Sequence, residues 1–418
     1  MRKQFNLVAT AVISVLASSS VQAIQFDGFM TAGGAIHDDS DNKNIYIGSL
    51  GDRGITNDLT FETDTRFGLQ ISSDVTEDMS VVAQLLGTGV DGNFNAVVEW
   101  AYIDYELNDV ASIHVGKIKQ PVYLVNDYVE VGYAYPWIRP PSEVYYQNNP
   151  LNTVNGLELL LQLPAGPGTL SFQPYVGSNR DDIPNAGGAY FEAENIYGLD
   201  VKYAGRGYSA HASYFQCEVK TSGGFTIPDS AFGPLDVDLN GTGDCEVSAA
   251  GFNLDMANVV VYAEWTNRTT TDELSRPFGD QTGWYTTLGY RFGRWLPHIT
   301  YAMLDGEAST YGLATGEGAI TSDGFPAGFS MNFPVAIQSS ITAGLRYELN
   351  DSAALKVEYQ LVSVEDDQQE LADANQPGGV MGMPYVNYGL FNDDFSGFPG
   401  NLPTDDVGIV SVALDVIF

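Results

Sequence analysis

No stretch of this chain is apolar for long enough to cross a bilayer as a helix. If a membrane is its medium, a closed β-barrel is the remaining way to satisfy backbone exposed to lipid. Bases are scarce, with 18 Lys and Arg against 53 Asp and Glu. Such a surface repels phosphates and excludes nucleic acid as a partner. There are two cysteines, too few for a fold held together by disulfides. The four histidines (His37, His114, His211 and His298) sit in no nucleophile–base signature, so the chain is not expected to be an enzyme.

What is present begins with Arg2 and Lys3, an apolar stretch from Leu7 to about Leu16, and Val21-Gln22-Ala23. A basic start, a short apolar core and small residues before a cut describe a secretory signal over residues 1–23. The expected mature domain is then residues 24–418, with 16 bases left against 53 acids. It is rich in glycine (45), tyrosine (24) and phenylalanine (21), which suits strands and turns.

Alternation of period two recurs along the whole mature chain. Phe67, Leu69 and Ile71 alternate with Arg66 and Gln70; Ile341, Ala343, Leu345 and Tyr347 with Thr342, Arg346 and Glu348; Leu355, Val357 and Tyr359 with Lys356 and Glu358. One face is apolar and the other charged. About 16 strands are expected, near 25–36, 59–73, 78–88, 95–107, 110–118, 155–163, 168–177, 196–204, 207–216, 246–255, 258–267, 282–292, 295–304, 337–349, 352–364 and 407–418. Short turns alternate with long loops, GTGVDGNFN excepted. That rhythm predicts an all-β, 16-stranded antiparallel transmembrane barrel with short periplasmic turns and long extracellular loops. In the last strand Val410, Val412, Leu414, Val416 and Phe418 share one face, expected to meet lipid as the strand closes on the first. The terminal Phe418 looks like the signal read by the outer-membrane barrel assembly machinery.

Signal, strand number, loop rhythm and terminal Phe418 together resemble the trimeric general porins of Gram-negative outer membranes. The resemblance covers essentially the whole mature chain. It implies a homotrimer set among outer-membrane lipid and lipopolysaccharide, and a third long loop folded back to narrow the pore. Here that connection runs from about Lys119 to Val154. Its piece YPWIRPPSEVY looks like a segment of porin-like proteins from marine gammaproteobacteria. The Pro-Glu-Phe-Gly-Gly element of enteric general porins is absent from it.

Function is expected at that constriction: passive diffusion of small hydrophilic solutes and ions. The loop offers Asp127, Glu130 and Glu143, with Arg139 among them. Parity places Arg66, Lys202, Arg291, Arg346 and Lys356 on the pore wall, with His211 and His298. Lumen acids outnumber them: Glu62, Asp64, Asp104, Glu106, Glu158, Asp200, Glu264, Glu348 and Glu358. A cation preference follows. An alternative is a substrate-specific porin guided by Tyr133, Tyr135, Trp137, Tyr145 and Tyr146; an outer-membrane enzyme or a surface adhesin is further off.

A second constellation is DVDLNGTGDCE, where Asp236, Asp238, Asn240, Thr242 and Asp244 present oxygen donors at alternate positions around Gly241. The spacing suits Ca2+ in an extracellular loop, the alternative being an acidic loop that matches by chance in an acid-rich chain; an EF-hand wants Glu where Val247 stands. No other cofactor is expected. Cys217 and Cys245 bracket that loop, and an oxidising compartment predicts a disulfide between them.

Overall fold

The structure, a computed structural model, describes residues 24–38, 55, 57–90, 93–145, 152–182, 190–227, 235–238, 240–271, 280–306, 309–313, 329–333, 338–364 and 406–418. The expected leader, residues 1–23, lies outside them. Strand β1 spans Gln25–His37, β2 Arg66–Thr76, β3 Met79–Val90, β4 Asn93–Asn108 and β5 Ala111–Lys119. Next come β6 Thr153–Ala165, β7 Gly168–Asp182, β8 Tyr190–Gly205, β9 Tyr208–Ser222 and β10 Gly224–Ile227. Then follow β11 Leu235–Asp238, β12 Gly241–Met256, β13 Val259–Thr270, β14 Gln281–Tyr290 and β15 Trp295–Gly306. The remainder are β16 Ser309–Leu313, β17 Phe329–Phe333, β18 Gln338–Asn350, β19 Ala353–Val364 and β20 Val407–Ile417. Sixteen of them close into one antiparallel barrel in chain order, while β10–β11 and β16–β17 form separate two-stranded sheets.

Alternation decides which way the barrel faces. Along β20, Val410, Val412 and Leu414 point outward at 45%, 44% and 38% exposure, while Ser411, Ala413 and Asp415 are each 1% exposed. Around β14 the outward Trp284 and Leu288 are exposed, and Tyr285 and Thr287 are buried. Apolar outside and polar inside is the order required when lipid is the outer solvent. Closure removes the sheet edges: β1 meets β20 from Phe29↔Ile417 to His37↔Ile409. Phe418 continues the seam, its N–H donating to Gly28 O at 2.9 Å and its carbonyl accepting from Gly28 N at 2.8 Å. Its ring lies over Gly28, where an added Cβ would come within 2.4 Å of it.

The short turns carry the backbone they need. Ala257 and Asn258, with φ of 51° and 72°, join β12 to β13, the pair of positive φ values that matches strand twist in a two-residue hairpin.

The expected strands are all found, most of them longer than the alternation suggested, and one is corrected. Residues 59–65 do not extend β2. They fold over the upper half of β1, with Thr60 bridging Ala35 by N–H···O bonds of 2.9 Å in both directions. The reason lies in the seam: β1 pairs with β2 only as far as Thr31↔Arg66. The remaining edge of β1 needs a cover. Glu62 and Asp64 therefore belong to the turn that covers it and not to a strand. The GTGVDGNFN connection is also tighter than expected, because β3 and β4 leave only residues 91–92 between them.

Candidate functional site

After β5, residues 120–145 turn into the barrel and run as a belt around its inner wall. It contains 3-10 turns at Asn126–Tyr128 and Gly132–Ala134 and one helical turn at Ser142–Tyr145. Its first part is fastened to the β7–β13 side. Gln120 Nε2 donates to Tyr175 OH (3.0 Å), Ser213 Oγ to Val122 O (2.6 Å) and Leu124 N–H to Glu264 Oε1 (2.7 Å).

The middle part, Glu130–Ile138, lies on β18, β19, β20, β1 and β2, and three wall cations hold it. Arg66 donates from Nε to Glu130 O (3.0 Å) and from Nη2 to Ile138 O (3.4 Å). Arg346 Nη1 donates to Tyr133 O (2.7 Å) and Tyr135 O (2.9 Å). Lys356 Nζ donates to Gly132 O and Trp137 O, each at 2.5 Å. Six carbonyls of one short segment thus end on three side chains of the wall. Buried carbonyls must find donors; the single 3-10 turn of this segment supplies backbone N–H groups only to Glu130 O and Gly132 O, and the wall side chains reach all six.

Acids complete the fastening. Asp415 accepts from Thr31 Oγ1 at 2.6 Å and pairs with Lys356 at 2.8 Å. Glu358 accepts from Ile138 N–H at 2.8 Å. Arg139 Nη1 lies 2.5 Å from both carboxylate oxygens of Asp64, and its Nη2 donates to Ser411 Oγ at 2.6 Å. Buried ions of this kind are tolerable because each is paired and hydrogen-bonded.

Of the loop's aromatic candidates Tyr135, Trp137 and Tyr145 are packing, Tyr133 is half-exposed, and Tyr146 lies outside the described residues. Tyr135 and Trp137 are each 1% exposed. Trp137 Nε1 donates to Thr287 Oγ1 (2.9 Å) and Thr300 Oγ1 (3.1 Å), and its ring meets Tyr262 and Tyr285 edge-on. The Tyr135 phenol donates to Val129 O at 2.6 Å and accepts from Arg66 Nη2 at 2.7 Å. Burial holds that phenol above its ordinary pKa, so it keeps its proton and its donor role. Tyr145 is held up in the same way, by burial first and by Glu264 second.

The candidate residues therefore separate into two groups. Arg66, Arg139, Arg346, Lys356 and Asp64 come together beneath the belt, and they do not stand as free charges along a pore. Glu143 joins neither a ring of pore acids nor the clamp: it is 0% exposed and accepts from Gln338 Nε2 at 3.1 Å. Arg291 lies just past the end of β14, at the short-turn rim, paired with Asp255 and Glu348 (2.5 and 2.9 Å). Parity gave its face correctly and could not give its height. Glu62 is half-buried, its backbone close over Gly89.

Asp127, Glu130 and Lys202 stay on the open side. The Asp127 carboxylate is 52% exposed and 3.8 Å from Lys202 Nζ; Glu130 is 22% exposed and 3.8 Å from Arg66. Lys202 stands on β8, and a further row of charge crosses the inner faces of β4, β5 and β6. There Asp104, His114 and Glu158 are register partners in one row across three strands.

Asp415, Thr287 and Thr300 were not singled out as site residues from the sequence, and Glu264 and Glu358 were read as pore-lining acids and not as anchors. Their inward parity was legible; that a loop would lie on them was not.

Of the second constellation, the structure describes a part. Asp236 and Asp238 lie in β11, paired with β10, and their side chains lie outside the described residues. Asn240 Oδ1 accepts from Gly223 N–H at 3.0 Å, and Thr242 and Asp244 are ladder residues of β12 opposite Lys220 and Glu218. Among the described residues no three His, Cys, Asp or Glu side chains are placed to ligate one metal ion. Cys217 and Cys245 are disulfide-bonded, as expected, with Cα atoms 5.2 Å apart. They are direct register partners of β9 and β12, so the bond sits inside the barrel ladder and not at the neck of a loose loop.

Fold and lining define an outer-membrane β-barrel of the Gram-negative kind. No protein-family model and no curated protein matches the chain. Solved structures do. It is similar to in-vitro folded OmpT, an outer membrane protein of Vibrio cholerae, at 12% identity over 96% of this chain and 99% of that one, TM-score 0.56. The trimer form of OmpT matches at 10% identity, 95% and 99% coverage and TM-score 0.53. An anion-selective porin from Comamonas acidovorans matches at 13% identity, 95% and 100% coverage and TM-score 0.53. At these identities the likeness concerns the fold alone.

Proposed function

We propose that this chain is an outer-membrane channel for passive diffusion of small hydrophilic solutes and ions, and that it prefers cations. The observation that carries the reading is the fate of the basic wall. Arg66, Arg346 and Lys356 are turned into the carbonyls of the belt, while Asp127, Glu130 and Asp104 remain exposed to the lumen in part. The field met by a passing ion is then set mainly by carboxylates, with Lys202 and His114 as the opposing bases. Burial of Tyr135 and Trp137 removes these rings from any solute path, which favours general diffusion over a substrate-specific porin. A homotrimer in lipid and lipopolysaccharide, inserted by the barrel assembly machinery through Phe418, belongs to the same proposal; the trimer form of OmpT supports it by fold.

The test is single-channel conductance and reversal potential in a planar bilayer under a KCl gradient. Steps in threes with a cation-selective reversal potential are expected. A chloride-selective reversal potential would overturn the charge argument, and folded protein without conductance would overturn the channel.

A further inference from the structure

The wall parts between β4 and β5. Strand β4 continues upward against β3 as far as Val90↔Asn93, and β5 against β6 as far as Lys119↔Thr153. Between β4 and β5, the last rung among the described residues is Ala101↔Lys117. Two irregularities turn the strands from one another. Gly116, opposite Tyr102, has φ of 141°, and a Cβ there would lie 2.4 Å from Ala101 O. Glu99 is the extra residue of a bulge, since the β3 register steps from Gln84↔Trp100 to Leu85↔Val98. Above the parting, lysine side chains stand in for backbone rungs. Lys117 Nζ donates to Val98 O at 2.8 Å, and Lys119 Nζ to Glu99 Oε1 at 2.6 Å. Both side chains of the second pair are buried.

The parting lies at membrane depth. Lys117 is six residues up β5 from Ala111. That is roughly 16 Å at a rise of about 3.4 Å per residue and a tilt of about 40°, inside an apolar band about 25 Å tall. Backbone outside a ladder is tolerated at that depth where it lines a cavity reached by water. Apolar surface runs around the same free edge of β4. Val98 shares the outward face with Leu85 and Val97 the inward face with Leu86; Val97, Val98 and Phe94 are all exposed. We propose that this parting is a lateral port through which small apolar molecules pass between the lumen and the surrounding lipid, with Lys119–Glu99 as its latch. Such a molecule meets Val97 from the lumen and Val98 from the lipid, on either side of one strand edge. Opening breaks one ion pair and one hydrogen bond, not a run of ladder bonds. This passage is additional to diffusion of hydrophilic solutes along the barrel axis, and it rests on the barrel and its register alone.

The experiment follows uptake of the apolar dye N-phenylnaphthylamine by intact Gram-negative cells, whose lipopolysaccharide leaflet resists it, with and without the full chain in the outer membrane. Faster uptake with the chain is expected. E99C/K119C should show that increment before oxidation and lose it once the two thiols are joined across the port. E99A/K119A removes both buried charges together, so neither is left unpaired, and should raise uptake above wild type. It reports even where the cysteine pair fails to fold; heat-modifiable gel mobility shows which variants are folded. KCl conductance should be the same in locked and unlocked chains, which separates the port from the axial channel. Uptake no greater than without the chain, or equal before and after oxidation, overturns the port. So does a cysteine pair that links two chains instead of one, since a second copy would then fill the gap. Uptake and current that fall together on oxidation would mean that the lumen itself has closed, and overturn it as well. Lock-dependent uptake by a chain that passes no current would uphold the port and overturn the channel.

Discussion

Lys356 has no exposed surface, yet its ammonium has three partners: two loop carbonyls and Asp415. Replacing it with Met keeps the aliphatic stem and removes all three, leaving Asp415 buried without its cation. Breaking a buried pair from one side costs about 3–5 kcal/mol. The expected result for K356M is a lower temperature for loss of the folded, heat-modifiable band, together with noisier open-channel current from a loosened belt. Gly132 tests the same contact from the loop side. A Cβ there would lie 2.2 Å from Asp415 Oδ1 and 2.8 Å from Thr31 Oγ1, so G132A should displace the belt and lower the same temperature, whereas A134G, at an exposed position, should not. At this scale the sequence was half legible. Parity placed Arg66, Arg346 and Lys356 on the inner face correctly. It could not say that they would be covered, because the covering segment has no period and its path is fixed by contacts with residues more than sixty positions away.

Elements were the easier part to read, since alternation acts locally and the membrane enforces it. The C-terminal strand is the clearest case: each residue assigned outward from Val410 to Leu414 is exposed and each assigned inward is buried. Residues 59–65 carry a strand-like pattern, Leu59 and Phe61 alternating with Thr60 and Glu62, and yet form no part of β2. Only the limited register between β1 and β2 shows that a turn is there. The disulfide illustrates the same dependence on register. Chain entropy for two cysteines 28 positions apart suggests a gain of about 3–4 kcal/mol, but the bond joins strands already paired from Gly241↔Thr221 to Leu254↔Tyr208. The double variant C217S/C245S is therefore expected to keep its barrel and its conductance, and to unfold at lower denaturant. Failure to assemble a barrel at all would mean that the bond forms before the ladder and directs it.

Considered whole, the molecule has divided its charge. Bases and their partner acids on the β18–β2 side hold a belt in place, and carboxylates on the belt's open side and on β4–β6 are left to act on the lumen. Two substitutions separate these roles, because neither residue belongs to the clamp. Asp127, half-exposed and 3.8 Å from Lys202, should lower the ratio of cation to anion permeability when changed to Asn; Lys202→Gln should raise it. Exposed pairs contribute little to stability, so both variants should unfold as the wild type does. Ionic strength supplies an internal check. The screening length is about 10 Å at 0.1 M salt and about 3 Å at 1 M, so a preference set by carboxylates standing in water shrinks as salt rises. A preference that is unchanged between 0.1 and 1 M KCl, or that survives D127N intact, would place the selecting charges in a desolvated constriction, and the buried clamp itself would become the filter.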